Sequence, residues 1–154
     1  MNTNRKKGFR ILGKILFALY LCFVFYFLIF SDWYGRTGQM DAYHYNLVLF
    51  REIKRFWNYR DQIGLFATLM NLGGNILIFV PFGFFMCLAS IKSNIIRTAW
   101  YSLIVSSLVE LFQLVTKVGS FDVDDLFLNT LGGILGGIFF VVGKWVRRQY
   151  GKRR

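Results

Sequence analysis

The sequence predicts an all-α polytopic membrane protein with four transmembrane helices and an amphipathic interfacial helix in the first outer loop. Three observations lead there. The 154 residues are 55% hydrophobic and 19% aromatic, with a mean hydropathy of +0.44, which is too apolar for an ordinary soluble domain of this length. Four apolar runs, near Ile11–Phe30, Gly64–Ala89, Ile95–Thr116 and Leu126–Val142, each approach the roughly 20 residues needed to cross a bilayer core. All eight carboxylates fall on one side of the membrane those runs define, opposite a side that holds only Lys and Arg.

The first run opens after Arg5, Lys6, Lys7 and Arg10 and carries Lys14 near its start, where the side chain can snorkel to the interface. No small-x-small cleavage site follows Phe30, and Ser31-Asp32-Trp33-Tyr34 reads as a span end with an aromatic belt. The run is therefore expected to be a retained transmembrane helix rather than a signal peptide. Orientation follows from the positive-inside rule. With the N-terminus cytoplasmic, Lys92, Arg97 and the basic tail at 143–154 join the N-terminal cluster inside, and the C-terminus is cytoplasmic too. The whole chain, 1–154, reads as one membrane domain of a bacterial cell membrane. The net charge of +11 brackets apolar spans on one side, which fits contact with anionic membrane lipid; no nucleic-acid motif appears. Cys22 and Cys87 sit at different depths in different spans, against a disulfide, and His44 reads as an ordinary interfacial residue.

Polar side chains inside a span are costly, so their placement is informative. Asn71 and Asn75 lie one turn apart in the second run, and Glu110 and Gln113 share a face near the outer end of the third. Asp122, Asp125 and Asn129 follow i, i+3, i+7 spacing at the start of the fourth. The outer halves thus hold amides and carboxylates, while the inner halves read as almost purely apolar. A polar pocket open to the outer leaflet accounts for this sorting. Glu110 and Asp125 are the candidates for catalysis, with Asn71, Asn75, Gln113 and Asn129 as ligand-orienting amides. Asp122, Asp124 and Asp125 offer oxygen ligands that could hold a divalent cation. Interhelical hydrogen bonding is the bland alternative for the amides, and helix capping for Asp122 and Asp124. Gly73-Gly74 separates the two asparagines, Pro81 interrupts the second run, and Gly132-Gly133 with Gly136-Gly137 forms a doubled small-xxx-small pattern suited to close packing.

In the long loop from Ser31 to Gln62, Leu49, Phe50, Ile53, Phe56 and Trp57 recur at helical spacing, with Arg51, Glu52, Lys54 and Arg55 between them. This is an amphipathic helix fit to lie in the interface or fold over the bundle. Arg51 or Arg55 could bind a phosphate or carboxylate beside the acidic pocket.

Several of these segments resemble the VanZ-like family. Asn46-Leu47-Val48-Leu49-Phe50-Arg51-Glu52-Ile53 looks like its loop motif, and Asn71 and Asn75 followed by Ile78-Phe79-Val80-Pro81-Phe82-Gly83-Phe84 resemble its second-helix motif. Glu110-Leu111-Phe112-Gln113 resembles its Glu-x-x-Gln, and Phe121-Asp122-Val123-Asp124-Asp125-Leu126 with Asn129-Thr130-Leu131-Gly132-Gly133 its final signature. The likeness covers roughly residues 44–137. Leu49 stands where the family often has proline, and Lys117 is the nearest basic residue where the family often has Arg before the Asp run. The resemblance implies a bacterial membrane protein of the family named for low-level resistance to teicoplanin, and no particular reaction. Three functions compete. The first is an enzyme acting on a membrane lipid, a lipid-linked wall precursor or another cell-envelope lipid. The second is a non-catalytic protein binding such a lipid or a lipoglycopeptide antibiotic. The third is a proton or solute pathway, disfavoured by the apolar inner halves.

Overall fold

The computed structural model describes residues 3–30, 42–90 and 94–151. Asp32, Asp41, Lys92 and the last three residues, and with them the predicted aromatic belt at 31–34, lie outside the described residues. The element order is α1 (Thr3–Phe30), β1 (Tyr45–Asn46), α2 (Arg51–Asn58), α3 (Arg60–Ile63), α4 (Leu65–Ala89), α5 (Ile95–Thr116), β2 (Phe121–Asp122) and α6 (Val123–Gly151). Four of these helices, α1, α4, α5 and α6, are long and apolar enough to cross a membrane. The all-α, four-span expectation holds. α4 and α5 begin or end within a residue of the predicted runs. α6 runs past both predicted limits: it starts at Val123, and residues 143–151 of the basic tail continue it as helix.

The spans alternate in direction. Lys7, Arg10, Lys14, Arg97, Lys144, Arg147 and Arg148 lie toward one end of the bundle, and every carboxylate among the described residues lies toward the other. The second end is called the acidic end below. α4 is the central helix, with α1 on one side and α6 on the other; α5 packs on α6. Phe79, Phe82, Met86, Val109 and Val24 form the buried apolar core, with Phe17 stacked at a tilt 5.2 Å from Phe82.

The α4–α6 contact is backbone on backbone. A β-carbon placed on Gly83 would lie 1.9 Å from the carbonyl oxygen of Gly133, one on Gly136 would lie 1.9 Å from that of Val80, and one on Gly132 would lie 2.1 Å from that of Ile76. Small residues at this spacing let two helices approach where lipid supplies no hydrophobic drive of its own. The predicted packing role of the doubled glycine pattern is thus what the structure displays. Pro81, inside α4, lies next to Val80, whose carbonyl faces Gly136. α5 starts at Asn94, whose side chain accepts from the Arg97 amide at 3.2 Å, and ends at Lys117 in the left-handed region.

A buried polar clasp at the acidic end

The turn between α5 and α6 and the loop before α2 meet as a two-residue parallel ladder, Tyr45 opposite Phe121 and Asn46 opposite Asp122. The Phe121 amide donates to the His44 carbonyl at 3.0 Å. Two residues so paired carry little stability of their own, and side chains supply the rest. Asn46 donates through Nδ2 to Asp122 Oδ1 at 3.0 Å and accepts from the Val48 amide at 3.1 Å. The same Asp122 oxygen accepts from the Asp124 amide at 2.8 Å. Both are Asx turns, the local bond that short polar side chains offer their own backbone. Beneath them, Glu110 Oε2 accepts from the Asp122 amide at 2.9 Å.

Asp124 is the N-cap of a helix far away in sequence. Its carboxylate accepts from the Phe50 amide, from Glu52 at 2.8 Å and from Ile53 at 3.1 Å. α2 has no side-chain cap of its own, because Phe50 occupies the N-cap position with φ 66°. An acidic group at a helix start satisfies orphan amides and favours the helix dipole. The positive φ of a bulky residue is strained, and it is held by the Asp124 bond and by an edge contact with Phe127 at 5.4 Å. Behind α2, Thr68 on α4 bonds the Phe56 carbonyl at 3.4 Å.

The predicted site residues divide. Asn75 donates to the Asp125 carboxylate, joining α4 to α6. Asn129 donates to Ser106 Oγ at 2.8 Å, joining α6 to α5. Glu110, 3% exposed, and Gln113 are buried on α5 beside them. Asn71 is not part of this group. It bonds the Ala67 carbonyl of its own helix at 2.9 Å and lines a groove between α4 and α1. Arg51 and Arg55 stand exposed on α2, and Arg55 is 2.5 Å from Glu52.

Among the described residues no three His, Cys, Asp or Glu side chains are grouped as they would be around a cation. The Asp122, Asp124 and Asp125 carboxylates diverge, toward Asn46, toward the α2 amides and toward Asn75. The basic half of the bundle is also less apolar inside than its composition indicated. Thr98, Ser102 and Ser106 are buried on the same α5 stripe as Glu110, at intervals of four residues. Counting small hydroxyls with the amides would have found that stripe. At Ser102 the stripe is closely packed: a β-carbon on Gly133 would lie 1.9 Å from Ser102 Oγ. Thr98 and Ser102 bond the carbonyls four residues back, at 3.0 and 2.9 Å. Asn46 and Thr68 were also missed as individual site residues, since each is meaningful only through a distant partner.

Burial raises the Asp122 carboxyl above its ordinary range, opposed by its hydrogen bonds from Asp124 and Asn46. Burial raises Glu52 as well, with Arg55 acting against it. For a raised native value, the stability contribution is full below the unfolded value, near 3.8 for Asp122. It is lost as pH rises through the native one. Through these two groups the clasp is therefore expected to be more stable in acid, below their ordinary carboxylate range, than at neutral pH. In melting curves of the reconstituted protein, Asp122→Asn should flatten this dependence; an unchanged pH profile would contradict the assignment.

Two comparisons with known proteins bear on the chain. The family model described as VanZ/LLP1 matches residues 17–144. "Protein VanZ" of Enterococcus faecium is 26% identical over 127 residues, which cover 82% of this chain and 72% of that protein. No solved structure matches. The family match reaches from within α1 to within α6 and so includes the clasp, the glycine contact, the second and third spans and part of the first and fourth: the chain belongs to the VanZ-like family of multi-pass membrane proteins.

Proposed function

We propose that this protein binds an acylated amphiphile of the cell envelope, and that it does so without catalysis, from the outer leaflet of the bacterial cell membrane. The observation that carries the reading is the groove between α1 and α4. It encloses about 650 Å³ and is lined by Tyr20, Phe23, Phe66, Met70, Leu77, Ile78 and Pro81, with Asn71 as its amide and Gly74 leaving room in its wall. From Phe66 to Pro81 the lining runs roughly 22 Å along the helix at 1.5 Å per residue, a length suited to an acyl chain. Ligand sites of this kind are mostly apolar with a few polar groups that fix orientation. A membrane lipid, a lipid-linked wall precursor and a lipoglycopeptide such as teicoplanin all join an acyl chain to a polar head. A role in teicoplanin-type resistance follows if the occupant is the antibiotic.

The orientation fits. With Lys7, Arg10, Arg97, Lys144 and Arg147 on the cytoplasmic side, both termini are cytoplasmic and the acidic end faces outward. The non-catalytic reading rests on how the carboxylates are used. Glu110 and Asp124 accept fixed backbone hydrogen bonds, and Asp125 takes one from Asn75. These are structural acceptors. A general base must instead reach the proton it removes.

In nanodiscs, teicoplanin is expected to bind more tightly than its deacylated core. Gly74→Leu, which puts a side chain into the groove, should weaken that binding by about tenfold or more, some 1.4 kcal/mol. Binding that ignores both deacylation and Gly74→Leu removes the proposal. Glu110→Gln should leave binding and resistance near the parent level. A folded Glu110→Gln protein that binds normally but confers no resistance would favour the enzyme reading, with Glu110 and Asp125 as its acid–base pair.

A further inference from the structure

α2 is tied to the start of the fourth apolar helix. Asp124 lies in the first turn of the span Val123–Tyr150 and holds the first turn of α2 through three backbone amides. Arg51 and Lys54 are therefore held beside the end of a membrane-length helix, the part of such a helix nearest the head groups of a bilayer it crosses. They are three residues apart on one helix face and line a recess of about 370 Å³ with Val48, Leu49, Phe50 and Asn58.

The two cations differ from their neighbour. Arg55 is engaged with Glu52 at 2.5 Å, while among the described residues neither Arg51 nor Lys54 is in a salt bridge. Asp124, the buried carboxylate bonded to the first turn of α2, has both oxygens committed to backbone amides. Apolar side chains are exposed here too: Val48 and Leu49 in the lining, and Leu47 and Trp57 close by in sequence, are all about half exposed or more. Exposed apolar side chains of this number around paired cations mark a surface that meets something amphipathic.

We propose that this recess holds the phosphate of an anionic phospholipid, with Arg51 forking the phosphate oxygens and Lys54 as a second point charge, while Val48, Leu49 and Trp57 enter the acyl region beside it. The guanidinium supplies bidentate geometry and the ammonium supplies charge. The exposed apolar side chains select lipid over a soluble anion, because a free phosphate gains nothing from them. This site lies on the loop helix and does not depend on the α1–α4 groove being a ligand site.

Native mass spectrometry of the delipidated full-length protein tests it, with phosphatidylglycerol, phosphatidylcholine and inorganic phosphate as probes. Phosphatidylglycerol is expected to be retained over phosphatidylcholine, and its binding to weaken as ionic strength rises. Arg51→Glu combined with Lys54→Glu should reduce its tightest binding step about tenfold or more, and the milder Arg51→Gln with Lys54→Gln should reduce it by less. Lys144→Glu with Arg147→Glu, at the opposite end, should leave that step in place. Retention unchanged in both α2 variants, or displacement of the lipid by inorganic phosphate at equal concentration, overturns the proposal. Gly74→Leu should leave this step intact, so failure of the groove reading and failure of this one are separable.

Discussion

Gly136→Ala is expected to abolish the folded protein in detergent, and Gly83→Ala to do the same. In each case the added methyl carbon would meet a backbone carbonyl oxygen at 1.9 Å. An ordinary carbon–oxygen contact lies at roughly 3.3–3.6 Å, so the two helices must separate by well over an ångström. No side-chain rotation relieves this, because the opposing atoms belong to Gly133 and Val80 main chain. Overpacking costs about 1–3 kcal/mol when the core can adjust and more when it cannot. Here the separation also pulls Asp125 from Asn75, breaking a side-chain hydrogen bond that joins the same two helices. Gly73→Ala is the control. It sits in the same helix, three turns from Gly83, with nothing within 4 Å of its would-be β-carbon. It should leave stability unchanged or raise it slightly, since alanine is favoured over glycine inside a helix. Size-exclusion profiles and thermal midpoints of the variants decide the matter. A Gly136→Ala protein that melts like Gly73→Ala would mean that α4 and α6 do not touch as described.

The spans were legible in the sequence because apolar length is a property of a single segment. The ends of α6 were not. Asp124 and Asp125 look like turn charges, and Lys144, Arg147 and Arg148 look like part of a free tail, yet all of these lie in helix. Hydropathy marks where a chain enters lipid and says little about where its hydrogen bonding stops. The site was legible in part for a related reason. Spacing correctly placed Glu110 with Gln113 and brought Asp125 and Asn129 into the bundle. It also put Asn71 beside Asn75, and there it misled. Four residues advance a helix by about 400°, leaving a drift of about 40° per step. α4 has α1 on one flank and α6 on the other, so that drift is enough to send Asn75 to Asp125 and leave Asn71 in the groove. The role of Asp124 had no local signal. Capping of the fourth span was legible as an option; capping of a helix more than 70 residues upstream was not.

That long-range cap carries the second large effect. Asp124→Ala is expected to release α2 from the bundle while the four spans and the Asn46–Asp122 pairing stay assembled. Three amides, those of Phe50, Glu52 and Ile53, would lose their acceptor at once. An N-cap is worth about 0.5–2 kcal/mol and hydrogen bonds to a charged group about 1.5–3. A loss of roughly 2–4 kcal/mol in local docking follows. Phe50 adds to it: its left-handed backbone is unfavourable for a non-glycine residue, and without the Asp124 bond its amide loses the acceptor that helps hold it there. Hydrogen exchange reads this directly, since local opening is reported by the amides it exposes. Amides from Phe50 to Asn58 should exchange about thirtyfold faster or more, given 1.4 kcal/mol per tenfold. Those in the middle of α4 and α6 should be unaffected. Asp124→Asn keeps one carbonyl acceptor but loses the charge and should fall between. Because Asp124 also holds the helix that carries Arg51 and Lys54, the proposed head-group site predicts that Asp124→Ala weakens phosphatidylglycerol retention without touching either cation. Fast exchange with lipid retention intact would separate the cap from the head-group site. Slow exchange in Asp124→Ala would show that α2 is held by Thr68 and the Phe127 contact instead.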